Sequence, residues 1–510
     1  MRKLYAALCA ALLFGCAVSA RATDDSLDTA RSSVGDLRQS LQAVIAKSQE
    51  AGADEAAMSD TLKAILADPA FRELSEQEHH TAYLLYGAVL YDLGRNHDAQ
   101  ALIKQATAMP QADGFDWHLR LSNSYRLADY ADAARSTATL ASRWPEKLSD
   151  ISFQAIETMN RETQKDPTAA EVGADMLAAL HAMKWQPDDP FETPDGLWLT
   201  LLRIRLERHD IHGARDLADE LRAHVPLLQM HADRRFDALV QADPRHFDVM
   251  KAYGAELADL KAKAAAAPDK LEGVNTVAEL LLNLDRAPEA MALITGALAR
   301  LAAKPDAFSD AGDKLNWTLD VRSRILFALG RSDDALAALA EGASHKEDGA
   351  VNVSQAINLA DAYEYYDRPN DALAAVAALD FSNASRYGRM ALEDARACAL
   401  FELGNTAALG QVLDYMKAHT IDGARPYLNT MLFTGDLDGA AAEIIAELND
   451  PARRLDTLYY LQDYLPRPHA SKREDAVHAA WLAMRARPDV SGAIARVGRI
   501  ESYAMLSPTY

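Results

Sequence analysis

The stretch "LFALGRSDDALAALAEGAS" occupies residues 326–344, and its layout is that of "LYDLGRNHDAQALIKQATAMP" at residues 90–110. In both, a Leu-Gly-Arg is followed by a short polar run, an alanine and an apolar run at helical spacing. A glycine at that place ends one helix, because it takes a left-handed backbone conformation without a Cβ clash. In the earlier copy, Leu84, Gly87 and Leu90 share one face at steps of three. Ala99, Ile103 and Ala106 form the inward face of the next helix, which closes before Pro110. The phrase predicts two antiparallel helices with small residues where they touch.

Other segments keep the spacing. Residues 117–145 carry Ser122, Tyr125, Ala134, Ala138 and Ala141 before Pro145; residues 198–226 carry Trp198, Leu201, Ala214, Ala218 and Leu221 before Pro226. A weaker unit fits around Ala174, and further anchors are Ala290, Ala335, Ala372 and Ala440. The pattern resembles the tetratricopeptide repeat, in which Trp-x2-Leu-Gly-x2-Tyr is followed by Ala-x3-Phe and then Pro. This chain departs from it: the segment at Trp198 has Leu202 for the glycine and Arg205 for the tyrosine, and aliphatic residues stand where the family has Phe. The resemblance implies an all-α fold, an α-α superhelix or solenoid of antiparallel helix pairs. Each amphipathic pair buries its face only against neighbours, so the apolar letters repeat while the polar ones vary.

Composition agrees with helices. Hydrophobic residues make up 49% of the 510 and aromatics only 7%, a balance that favours alanine-rich helices over strands. No strand-like alternation of useful length is visible. The formal charge of −22, with no basic run, argues against a nucleic-acid partner.

"MRKLYAALCAALLFGCAVSARA" reads as a signal peptide over residues 1–22: Arg2 and Lys3, an apolar stretch, then Ala20 and Ala22 as a small-x-small cleavage site. The apolar run is too short for a permanent span, so no transmembrane segment is expected after cleavage, and the location implied is periplasmic or secreted. A rival reading takes "LFGC" at residues 13–16 as a lipoprotein box, with an outer-membrane lipid anchor on Cys16; Phe14 is bulkier than such a box accepts. With Cys9 and Cys16 removed, Cys398 is alone and no internal disulfide forms. It sits among alanines and leucines, as a small buried apolar residue does. The expected organisation is an N-terminal repeat block over 23–226, an irregular helical junction over 227–269 and a second repeat block over 270–510.

No sequence motif for a metal, a phosphate loop or a nucleophile elbow is present. His209 and His212 flank Asp210 where the repeat places its turn, and Glu78, His79 and His80 open a helix; both read as solvated polar positions. "GRIESYAMLSPTY" at residues 498–510 resembles the Glu-Ser-aromatic segment of soluble lytic transglycosylases, in which Glu501 would be the general acid. The nine residues after it are too few to bury that glutamate and raise its pKa. The expectation is therefore a non-enzymatic protein without metal or cofactor.

In the repeat family the first helix of each pair lines the concave face. Trp317, Asp320 and Arg324 share one helix face, as do Asp361, Glu364 and Tyr365 on the next candidate helix. Asn123, Arg126 and Arg203 extend the candidate surface in the first block. Together these point to an exported scaffold or adaptor that holds a protein or peptide, favouring a partner with a basic segment. Two alternatives stand beside it: a helical-repeat carbohydrate-active enzyme or cell-wall glycan binder, and a periplasmic component of an envelope export machine. Intact-mass measurement of the exported protein should give an unlipidated chain starting near Thr23. A diacylated N-terminal Cys16 would overturn that expectation.

Overall fold

The computed structural model describes residues 25–50, 52–346, 351–379 and 384–507. The leader, its cleavage site and Cys16 lie outside them. The chain forms two compact units, the first ending at Asp210 and the second Ile211–Tyr510. Both are built of α-helices packed as consecutive antiparallel pairs.

The turn inside the pairs explains the recurring phrase. At Gly330 the backbone is left-handed (φ +71°), the Gly330 N–H donates to the Phe327 carbonyl at 2.9 Å, and the Arg331 N–H donates to the Leu326 carbonyl at 2.9 Å. This pair of hydrogen bonds closes the end of one helix with a glycine-type cap. The same pair of bonds recurs with left-handed residues at Gly94, Ala128, Lys184, His209, Asp285, Asp367, Gly404 and Gly435. Five of the nine are not glycine, which is why the glycine motif looked degenerate in the sequence. Five residues after seven of these turns stands an alanine: Ala99, Ala133, Ala214, Ala290, Ala335, Ala372 and Ala440, each at most 1% exposed.

In the first unit, Glu76–Asp92 packs on Asn96–Thr107, and Gly114–Arg126 on Tyr130–Arg143. Gly87 makes the first contact close: a Cβ there would stand 2.7 Å from Ile103 Cγ1. The core joins Leu62, Leu85, Val89 and Ile103. His80 is not a solvated helix start. It is 7% exposed, and its Nε2 lies 2.6 Å from Asp116 Oδ2 on the following pair. Burial raises the Asp116 pKa, and the histidine partly offsets that.

In the second unit the pairs are Leu271–Asn283 with Ala287–Ala303, Ala311–Ala328 with Ser332–Ser344, Val353–Tyr365 with Pro369–Val376, Arg386–Glu402 with Thr406–Ala418, and Ala424–Thr434 with Leu437–Asn449. The segment read as a junction is part of this unit. His224–Ala232 packs on Arg454–Tyr460, Gln229 donates to Asp456 at 2.9 Å, and Arg499 donates to the carbonyls of Ala232 and His231. An early helix of the unit thus meets its C-terminal part.

Two short strands depart from the all-helical expectation: β1 (Asp463–Leu465) and β2 (Ser502–Leu506) pair in parallel. Their pairing is long-range, and strands of three and five residues leave no periodic signal. Glu501, just before β2, accepts from Tyr503 at 3.0 Å and lies 3.5 Å from His231 Nδ1. The hydrogen bond from His231 lowers its pKa, opposite to what a general acid needs. Among the described residues no helix is long and apolar enough to cross a membrane.

The turn and its alanine set the expected stabilities. Ala335→Glu buries a charge at a helix contact and should destabilise by several kcal/mol, while Asp333→Lys on the exposed side should stay within about 0.5 kcal/mol. Gly330→Ala should cost about 1–2 kcal/mol for the left-handed Cβ, which also meets the His469 ring at 3.1 Å. Denaturant titrations giving equal midpoints for Ala335→Glu and Asp333→Lys would refute the assignment of positions.

Candidate functional site

The inner helices of the second unit enclose a cavity of about 550 Å³. Its walls come from the first helices of four successive pairs, Ala311–Ala328, Val353–Tyr365, Arg386–Glu402 and Ala424–Thr434, with residues from Arg454–Tyr460 and from Lys472–Arg485. Counting back ten and six residues from the left-handed turns at Gly330, Gly404 and Gly435 gives Asp320 and Arg324, Asp394 and Cys398, and Arg425 and Asn429; six back from Asp367 is Asp361, while ten back is the core residue Ile357, which faces away from this space. All but Cys398 and Ile357 line the cavity. One repeat register therefore aims polar side chains from successive pairs at one space.

Trp317 and Tyr387 line it while remaining 45% and 57% exposed, so the cavity opens to solvent. Deeper in, Phe327 and Tyr366 stack with centroids 5.1 Å apart. The Tyr365 ring is buried edge-on against Phe433, and its hydroxyl donates to Asn429 Oδ1 at 3.0 Å. Arg425 lies 3.9 Å from the centre of the Tyr460 ring. Such a surface offers flat apolar faces to stack on and a few fixed polar groups, the usual makeup of a ligand site.

The charges divide into two groups. The cavity's arginines each have a carboxylate of the chain: Arg324 bonds Asp320 at 3.0 Å and also Glu279, Arg425 lies 3.8 Å from Glu447, and Arg467 lies 3.4 Å from Glu474. Among the described residues no cation pairs with Asp361 or Asp394. Asp394 accepts from Thr430 Oγ1 and from Asn429 Nδ2 at 2.9 Å, tying Arg386–Glu402 to Ala424–Thr434. Asp361 accepts no hydrogen bond from the described residues. Burial, and then the neighbouring Asp394, hold the Asp361 pKa well above the usual range; burial pushes Asp394 up to about 7. Glu364 stands behind them, 2% exposed, with Oε1 unpartnered, and burial together with both aspartates raises its pKa too. A carboxyl titrating near neutrality can hold a cation or exchange a proton.

Of the residues expected from sequence, Trp317, Asp320, Arg324, Asp361 and Tyr365 come together in this cavity. Glu364 lies behind its wall. The three expected in the first unit are placed otherwise. Asn123 is fully buried and donates to the Asn96 carbonyl at 3.1 Å and to Gln100, because it faces the preceding pair. Arg203, 6% exposed, is held by Glu207 at 3.0 Å and by Gln164. Arg126 remains exposed, 3.8 Å from the centre of the Tyr91 ring. His209 is the left-handed residue of its turn, His212 is a surface side chain 3.1 Å from Asp216, and Cys398 is buried with its thiol pKa raised. Among the described residues no three or more His, Cys, Asp or Glu are grouped to hold a metal ion. Asp394, Asn429, Arg425 and Tyr387 were not foreseen; the count back from each turn was the signal that could have found the first three, and Tyr387 stands outside it.

Fold and site together define an all-α helical-repeat protein with a carboxylate- and aromatic-lined cavity in its second unit. No protein-family model matches the chain, and no curated protein matches it. Among solved structures, a chain of Naa15/Naa10 bound to HypK-THB matches at 13% identity over 90% of this chain and 79% of that one, with a TM-score of 0.20. That superposition is too poor to bear on fold or partner, and the repeat assignment rests on the recurring turn and the stacked pairs.

The aspartates make stability depend on pH. A carboxyl whose pKa is raised on folding stabilises fully below its unfolded pKa, near 4, and loses that contribution as pH rises through the folded value. The second unit should therefore be more stable at pH 5 than at pH 8. Asp361→Asn removes the repulsion without removing a hydrogen bond, so its melting temperature should rise at pH 8 and change little at pH 4.5. Calorimetry showing a loss at pH 8, or the same gain at both, would contradict the assignment.

Proposed function

We propose that this protein is an exported, non-enzymatic adaptor that holds a segment of a partner protein in the cavity of its second unit. The observation that carries this reading is the cavity itself: about 550 Å³, framed by rigid inner helices, with exposed aromatic faces at its opening. That space takes one or two side chains of an extended peptide. Pre-formed repeat surfaces suit such ligands because little ordering is lost on binding. Export rests on the leader at residues 1–22.

The competing reading is a glycan-active protein, since two carboxyls with raised pKa values beside exposed aromatic rings are also the parts of a glycosidase site. Two features weigh against it. Exposure of Trp317 and Tyr387 leaves the cavity wet, whereas acid catalysis at a glycosidic bond gains from excluding water. Asp394 is occupied in joining two helices through Asn429 and Thr430.

Site-specific photocross-linking from position 317 in living cells should trap a polypeptide. Trp317→Ala should reduce capture from a second probe at position 387, and so should Tyr365→Phe, which keeps the buried ring and removes only the hydroxyl. Both variants should melt within a few degrees of the parent. Failure to trap any polypeptide, with turnover of glycan strands by the purified protein, would replace the adaptor by the enzyme.

A further inference from the structure

We infer that the Asp361–Asp394 end of the cavity seats a cationic side chain of the partner peptide, a lysine ammonium held between two carboxylates and facing aromatic rings. This rests on the adaptor reading and names the chemistry that reading leaves open. The cavity contains three arginines, each already matched by a carboxylate of the chain, so the two aspartates are the acid in excess. Asp361 in particular has no structural task. It takes no hydrogen bond and no ion pair from the described residues, yet it lines the cavity beside a second carboxyl. Fixed at that place it weakens the fold, and natural chains retain such costs mainly where a ligand removes them. Behind the pair lies the buried Glu364, whose own pKa is raised by burial and by both aspartates and whose Oε1 takes no hydrogen bond from the described residues.

The surroundings select a cation on an extended chain. Tyr387, on the same helix as Asp394, is close enough to feel both aspartates and presents its ring to the cavity. Aromatic faces attract an ammonium, and an ammonium can donate to two carboxylates at once. Other titratable groups facing the pair do not supply the cation. From its own helix comes Glu364, and from Arg386–Glu402 comes Cys398. From the neighbouring elements come the paired Arg425 with Tyr460, and the paired Asp320 with Arg324. A sugar would satisfy hydrogen bonds here but leave the repulsion in place.

The test uses the full chain and a fluorescein-labelled Ala-Lys-Ala-Lys-Ala-Lys-Ala peptide, followed by anisotropy. At pH 8 the peptide should bind, and acetylating its lysines should weaken binding at least tenfold. Asp361→Asn should weaken it as much while raising the melting temperature, which separates loss of the seat from loss of the fold. Asp333→Asn, which removes the same charge from the exposed surface, should leave affinity unchanged. Binding should weaken from pH 8 to pH 5, because protons then compete for the carboxyls while lysine stays charged. Affinity indifferent to acetylation and to Asp361→Asn, with capture through position 317 intact, would overturn the cation seat and leave the adaptor standing. Binding of an N-acetylglucosamine tetramer in place of the peptide, with nothing trapped from position 317, would overturn both.

Discussion

Everything in this protein hangs on a two-bond backbone turn. Where a helix ends, one N–H reaches back three residues and the next reaches back five, and the residue between helix and turn goes left-handed. That geometry directs the following helix back along its predecessor and brings its fifth residue into the contact, where alanine leaves room for the backbones to approach. It also decides which positions of the preceding helix look inward. Gly330, Asp367, Gly404 and Gly435 repeat the turn four times in succession, and six of the eight side chains six and ten residues earlier, all but Ile357 and Cys398, converge on one cavity.

The cavity is held by the same bonds that make it costly. Asp394 anchors Asn429 and Thr430 across a helix pair, so its burial serves the fold. Asp361 does not, and its charge is opposed by Asp394 and set against Glu364. Repeat stacks tolerate this because each pair is stabilised by its neighbours over a long interface, and a local deficit is spread along the array. The arginines keep the opening balanced: Arg324 with Asp320 and Glu279, and Arg467 with Glu474.

The second unit also closes on itself. Arg499 reaches the carbonyls at the end of His224–Ala232 and pairs with Asp237, while Gln229 reaches Asp456. Glu501, next to these contacts, is bound to His231 and Tyr503 and holds the closure. Its resemblance to a catalytic glutamate is one of local letters. The hydrogen bonds around it keep it ionised.

Helix period, capping and small residues are local properties, so the sequence by itself determined that the chain is helical, where the pairs at Gly94, His209 and Gly330 turn, and that Trp317, Asp320 and Arg324 share a face, as do Asp361 and Tyr365. It could not show which faces meet. The bond of His80 to Asp116, the burial of Asn123 and Arg203, the parallel pairing of β1 with β2 and the meeting of Asp361 with Asp394 all join residues on different elements. Those encounters depend on the angle and rise from one pair to the next. Both are set by packing across the whole stack, and five of the nine turns that carry them lack the glycine that would have marked them. The tertiary structure alone decided that two carboxyls with no cation among the described residues share one cavity, because only summed rotations over successive pairs bring them to the same place.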